Sequence, residues 1–366
     1  MEAVSPLYSE LEEKKTYFRT DSYSMSIGEL VNMYKTKELT INPEYQRLFR
    51  WTYGQKVRLI ESLMLGIPLP TIFIFQDENS IWELVDGLQR VSTILQFMNV
   101  LEGHEKLVLS KTEYLSNFEN VCWIKEKNDE IELDSSLKLS FKRTKLNFTI
   151  IYSDSDPRAK FEVFQRLNTG GSNASKQEIR NSVQIMIKPF VYNWFSELAS
   201  NEHYLNTLSL TDRLLDEQYH LELLLRFVSL TNFTYDSKKE LGDYLDDINK
   251  TIIYDENFPF QITKEKFIKT FELLDNILAD RVFKKFDGNN FKGKFLESSY
   301  EAIAIGIAQN IDSYNEGTSN RLLVDKIKRM YNEDFYKNNA GSGSNAKSRI
   351  NKIIPAATEY FSIHGQ

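Results

Sequence analysis

The sequence predicts an α+β chain: a small mixed-sheet domain over residues 1-188, then an all-helical domain over residues 189-366. Three observations predict it. Short β-rich runs at 71–75, 81–85 and 146–152 alternate with helical periodicity in the first half. From Pro189 the strand pattern fades, and amphipathic runs follow at 190–200, 212–230, 239–253, 264–284, 296–310 and 320–332. A chain of 366 residues is long enough for two cores.

Taken in order, residues 1–20 read as a polar lead-in with one short helix. The first fifteen, MEAVSPLYSELEEKK, are acidic and lack an apolar segment, so they are expected to be no signal peptide. Ser26 caps a helix running to about Lys35, with Ile27, Leu30, Val31 and Tyr34 on one face. Leu39-Thr40-Ile41 is a short strand, ended by Asn42-Pro43. Thr52 caps a second helix, in which Val57, Ile60, Leu63 and Met64 have helical spacing. Gly66, Pro68 and Pro70 close it. Runs 71–75 and 81–85 form a hairpin around Asp77-Glu78-Asn79-Ser80. Asp86-Gly87 is a turn, and a helix begins near Val91 with Ser92 and Thr93 in its first turn. Residues 103–135 are mixed, with 125–130 as an exposed charged loop. Asp156-Pro157 opens a helix carrying Phe161, Val163, Phe164 and Leu167. Ser175 and Glu178 have capping-box spacing. Residues 338–345, rich in Gly, Ser and Asn, read as a flexible loop.

Composition excludes several functions. A net charge of -7 argues against a generally basic nucleic-acid binder. It leaves room for a local patch. Basic residues do collect late, among them Lys284, Lys285, Lys292, Lys294, Arg321, Lys326, Lys328 and Arg329, where they form either a solvated face or contacts to phosphates. The single Cys122 permits neither an internal disulfide nor a cysteine metal site, which fits a reducing cytoplasm. No stretch approaches the roughly 18 apolar residues of a membrane span, so no membrane partner is expected.

Chemistry concentrates at Asp86-Gly87-Leu88-Gln89-Arg90. Glycine supplies the positive φ of a sharp strand-to-helix turn. The helix directs its unpaired N–H groups and positive dipole end back at that turn, and Arg90 adds a forked donor. The expected ligand of such a cradle is a phosphate. Two further polar clusters stand at element boundaries: Tyr45-Gln46-Arg47 with Trp51, and Asn168-Thr169-Gly170-Gly171. Read singly, Arg47 pairs with Glu44, Arg90 pairs with Asp86, and the glycines only form turns. Read together, the clusters offer arginines for phosphate, amides for a base or sugar, and an aromatic for stacking. Asp86 would hold Mg²⁺ or orient a water.

The ordered series Pro43-x-Tyr45-Gln46-Arg47…Trp51, Ile67-Pro68-Leu69-Pro70, Asp86-Gly87-Leu88-Gln89-Arg90, Phe164-x-x-Leu167-Asn168-x-Gly170-Gly171 and Glu178-Ile179-Arg180-Asn181 resembles the GmrS-type N-terminal domain of modification-dependent restriction systems. The resemblance covers about residues 26 to 185. It implies a ParB/sulfiredoxin-like nucleotide-binding fold and a Mg²⁺-dependent nucleoside triphosphatase in anti-phage defence. Carried over, Asp86, Gln89 and Arg90 are catalytic, with Asp86 also the metal ligand. Tyr45, Gln46, Arg47, Gly87, Ser92, Thr93, Asn168 and Gly170 line the nucleotide site. The family motif has glutamine where this chain has Leu88. Many relatives carry a fused HNH-type nuclease, which needs clustered histidine and metal ligands. Here His104, His203, His220 and His364 are scattered. The nuclease is therefore expected on a partner chain, with foreign DNA and a second copy of this chain as further partners. The alternatives are a sensor that binds nucleotide or DNA without hydrolysis, and a HEPN-like ribonuclease built on Arg213 and His220.

Overall fold

The computed structural model describes residues 5–15, 19–41, 51–152, 175–314, 320–340 and 345–363. The chain divides into two compact units. One comprises Met1–Ser172 with Ile185–Ile187, the other Asn173–Gln184 with Lys188–Gln366.

The first unit is built on a five-stranded mixed sheet. Its elements are α1 (Pro6–Lys15), β1 (Thr20–Ser26), α2 (Ile27–Lys35), β2 (Leu39–Thr40), α3 (Tyr53–Met64), β3 (Ile72–Gln76), β4 (Trp82–Asp86), α4 (Leu88–Phe97), β5 (Val121–Cys122), β6 (Ile131–Glu132), α5 (Ser135–Arg143) and β7 (Lys145–Tyr152). The sheet order is β1-β7-β3-β4-β2. β1 pairs antiparallel with β7, β7 parallel with β3, β3 antiparallel with β4, and β4 parallel with β2. The mixed order reflects local sequence. A tight turn at 77–80 makes β3–β4 antiparallel, whereas β2 and β4 are separated by α3 and so can run parallel.

The N-terminal caps form where the sequence places them. Ser26 Oγ accepts the Glu29 N–H at 3.1 Å, and Thr52 forms a capping box with Gln55. Buried residues of this unit include Ile72, Ile74, Leu84, Val85, Phe148 and Ile150 of the sheet and Val91, Ile94, Leu95 and Phe97 of α4. Phe97, Trp123 and Phe141 cluster with ring centroids 5.5–5.8 Å apart.

Several expectations need correction. α4 begins at Leu88 rather than near Val91, because Gly87 is itself the N-cap and the first helical hydrogen bond runs from Val91 N–H to the Gly87 carbonyl. Ser92 and Thr93 therefore lie in the second turn. The charged run 125–130 is not wholly exposed. Glu130 is buried and accepts from Lys106 Nζ (2.8 Å) and from the N–H groups of Glu126 (2.7 Å) and Lys127 (2.9 Å). The helix expected after Asp156-Pro157 and the clusters Tyr45-Gln46-Arg47 and Asn168-Gly170 lie outside the described residues.

Among its described residues the second unit is helical apart from one hairpin. It holds α6 (Lys176–Ile187) up to Gln184, then α7 (Pro189–Ala199), α8 (Glu202–Leu208), α9 (Asp212–Asp216), α10 (Tyr219–Asn232), α11 (Leu241–Tyr254) and α12 (Phe260–Leu278). The hairpin strands β8 (Lys285–Phe286) and β9 (Phe291–Lys292) follow. α13 (Glu297–Tyr300) continues as a π-helical turn over Glu301–Ile305 and a closing turn, Gly306–Ala308. α14 (Asn320–Met330), α15 (Asp334–Lys337) and α16 (Ala346–Phe361) complete the unit. The run read as 212–230 is two helices, broken at Gln218, whose φ is 59°. Tyr204, Phe227, Phe267, Phe271 and Tyr300 form the aromatic centre. At Gly306 the backbone of α16 comes so close that a β-carbon would stand 3.0 Å from the Ala357 carbonyl oxygen. Among the described residues no helix is long and apolar enough to cross a membrane.

Candidate functional site

The strand-to-helix turn 86–90 is shaped by its glycine. Gly87 has φ 95°, a left-handed conformation that β-carbons disfavour. It is buried against Ile72, and an added β-carbon would lie 3.1 Å from both Ile72 Cγ1 and Cγ2. The register of β3 against β4 shifts between Phe73 and Ile74, opposite Asp86 and Leu84. Such irregularities re-aim side chains at strand ends. The end of β4, the glycine and the first turn of α4 thus converge. The N–H groups of Leu88 and Arg90 precede the first helical hydrogen bond, so the helix offers them to whatever lies at the turn.

Asp86 and Arg90 stand four residues apart and pair across this turn, Arg90 Nη2 to Asp86 Oδ2 at 3.1 Å. Arg90 Nη2 also donates to the Thr71 carbonyl (3.4 Å), and Nη1 donates to the Pro70 carbonyl. The guanidinium therefore ties the entry of β3 to the end of β4. Five N–H donors belong to an arginine. With three contacts made, Nε–H and one Nη1–H remain for a further acceptor among the described residues. Burial lowers the Arg90 pKa, and Asp86 opposes that shift.

Gln89 makes a different link. Its Oε1 accepts the Trp51 N–H at 3.1 Å. The chain immediately after the Tyr45-Gln46-Arg47 segment is thereby fixed to the first turn of α4. Thr93 Oγ1 donates to the Gln89 carbonyl at 2.6 Å. Ser92 is buried, and its Oγ has no hydrogen-bond partner. Leu88 is half-buried at the first helical position. The structure thus brings Asp86, Gly87, Gln89 and Arg90 together and sets Ser92 and Thr93 on the buried side of α4.

A bound Mg²⁺ commonly uses only one or two carboxylates plus substrate phosphates. Asp86 fits that requirement, since Arg90 occupies only its Oδ2. Among the described residues no group of three or more His, Cys, Asp or Glu is arranged to hold a metal on its own. In the other unit, Arg213 is exposed and pairs with Glu217 at 3.4 Å. The His220 carbonyl accepts from Tyr204 Oη at 2.6 Å, which makes this residue part of the aromatic centre's framework. His203 pairs with Asp275 at 2.7 Å.

The sequence signals the Asp86–Arg90 pair through its i,i+4 spacing. It does not signal the Pro70 and Thr71 carbonyls or the Gln89–Trp51 link, which join positions far apart in the chain. Residues 27–184 match the model of a known family, the N-terminal domain of the GmrSD restriction endonuclease. Comparison with curated proteins and with solved structures returned no match.

Proposed function

We propose that the Asp86–Arg90 turn binds and hydrolyses a nucleoside triphosphate, within a restriction-system, anti-phage role suggested by the match of residues 27–184 to the GmrSD N-terminal domain. In this reading the mixed sheet is a ParB-like nucleotide-binding domain ending near residue 188, and the helical domain follows it. Hydrolysis is coupled to sensing foreign DNA and controls a nuclease on a partner chain.

One observation carries the reading: a carboxylate, a guanidinium with two donors to spare and the N–H end of a ten-residue helix meet at one left-handed glycine. Each part has a defined task. The N–H groups of Leu88 and Arg90 donate to phosphate oxygens. Gly87 lets the backbone approach them, since no β-carbon intervenes. Arg90 stabilises charge on the transferred phosphoryl group while Asp86 holds it in place. Asp86 Oδ1 would hold Mg²⁺, which when bound neutralises phosphate charge. By resemblance to the family, Tyr45, Gln46, Arg47, Ser92, Thr93, Asn168 and Gly170 are assigned to the same nucleotide site.

The test is phosphate release from each triphosphate with Mg²⁺. Arg90→Ala should lower turnover by about a hundred-fold or more, with the far-ultraviolet spectrum retained. Unchanged turnover would overturn the assignment. A second reading, a sensor that binds without hydrolysis, is favoured by the engagement of Gln89 Oε1 with Trp51. That bond competes with positioning a water. Nucleotide binding without any phosphate release would select the sensor.

A further inference from the structure

The geometry points to the β8–β9 hairpin of the helical unit as a contact for the phosphate backbone of duplex DNA. This hairpin lies outside the residues that match the restriction-domain family. Within a chain of net charge -7, residues 281–294 hold five basic residues and one acidic residue. The register places Lys285 directly opposite Lys292 and Phe286 opposite Phe291. Alternation along each strand then puts the two lysines on one face and the two rings on the other.

The aromatic face is spoken for. Phe286 and Phe291 have centroids 5.0 Å apart, and Lys328 Nζ of α14 sits 5.7 Å over the Phe286 ring. Phe283 at the hairpin's base packs on Phe295 and Tyr300, at 5.8 and 5.1 Å. The loop is equally fixed: Gly288 has φ 104°, and Asp287 Oδ1 accepts the N–H groups of Asn289 and Asn290 at 2.9 and 2.8 Å. A rigid, anchored hairpin therefore presents its lysine face to solvent.

That face is electrostatically unsatisfied. Like charges directly across two strands repel. Lys292 has one exposed partner, Asp287 Oδ2 at 3.0 Å, a kind of pair worth little in water. Among the described residues no carboxylate lies within ion-pair distance of Lys285 or Lys294. The nearby acids are already engaged, Asp280 with Lys284 (2.6 Å) and Glu297 with Arg226 (2.9 Å). A repeating anion relieves such repulsion, and neutralised phosphates release counterions. The choice of DNA as source of those phosphates rests on the restriction role of the N-terminal domain. The contact itself does not depend on the triphosphatase reading.

The experiment is fluorescence anisotropy of the full chain with a labelled duplex of about 20 base pairs, without nucleotide, between about 50 and 200 mM salt. The triple variant Lys285→Ala/Lys292→Ala/Lys294→Ala should flatten the slope of log K against log salt by about 2.7, at about 0.9 per phosphate contact. The salt-induced loss of affinity then shrinks about 40-fold over that range. The single variant Lys294→Glu, at an exposed site beyond β9, should weaken binding in the same direction with the fold intact. An unchanged slope in the triple variant would overturn the proposal. So would absence of duplex binding by the parent chain at low salt, or preference for single-stranded RNA or for phosphatidylserine vesicles over the duplex.

Discussion

At Gly87 two constraints coincide: a φ of 95° and two Ile72 carbons 3.1 Å from where a β-carbon would stand. Either alone disfavours substitution, and together they cannot be relieved by one adjustment. Gly87→Ala should therefore destabilise the chain by about 2 kcal/mol or more, from left-handed strain plus overpacking. Urea unfolding would read this loss, and an unshifted midpoint would refute it. A second residue gives a pH signature. Glu130 is held at a pKa of about 2, below its usual 4.5, by the Lys106 ammonium first and then by the Glu126 and Lys127 N–H groups. A carboxylate with a depressed folded pKa contributes stability that is complete above its unfolded value and is lost as pH falls towards the folded one. The gap in melting temperature between the parent and Glu130→Gln should be constant above about pH 5 and close between about pH 4.5 and pH 2. A gap that widened on acidification would contradict the assignment.

At the scale of elements, the helical unit is threaded by a chain of alternating charges. Asp246 of α11 accepts from Arg180 of α6 at 2.6 Å, and Arg180 meets Glu222 of α10 at 3.4 Å. Glu222 pairs with Arg226 at 2.7 Å, and Arg226 reaches Glu297 and Glu301 at 2.9 and 3.4 Å. Arg349 of α16 closes the series on Glu301 at 2.7 Å. Glu301 is fully buried and sits in the π-helical turn. Removing one member leaves its neighbours desolvated and unpaired, which costs more than the pair contributes when intact. Arg226→Met should cost about 3–5 kcal/mol, whereas breaking the exposed Lys269–Asp312 pair should cost under about 1 kcal/mol. Comparable effects of the two changes on the urea midpoint would refute the ranking. The same elements show what was readable beforehand. The caps at Ser26, Thr52 and Ser175 are local chemistry, so they are visible in sequence. β1 is not, because Met25 is its one buried residue and its partner β7 lies far along the chain. α5 exposes Leu137 and Leu139 while burying Phe141, which defeats periodicity. α16 carries Pro355 in its interior and so reads as interrupted. At the site, the i,i+4 pair Asp86–Arg90 is legible, while the bonds from Arg90 to Pro70 and Thr71 exist only once β3 lies beside β4.

At the scale of the whole molecule, the turn at Gly87 and the lysine hairpin belong to different compact units. Their ligands should therefore be separable by mutation even though both are anionic. A ligand that binds the folded state alone stabilises it by RT ln(1 + [L]/Kd), about 2.7 kcal/mol at a hundred-fold excess over Kd. For a unit of this size that corresponds to roughly 5–10 °C in melting temperature. A nucleoside triphosphate with Mg²⁺ should raise the melting of the full chain accordingly. Arg90→Ala should abolish that rise, because it removes the guanidinium that faces the turn. The Lys285→Ala/Lys292→Ala/Lys294→Ala variant should keep the rise in full, since its lysines belong to the other compact unit. If the lysine variant lost the shift instead, the triphosphate would be binding as a generic polyanion at the hairpin. The cradle at the end of β4 would then be a structural turn, with Arg90 serving only to pin β3 to β4.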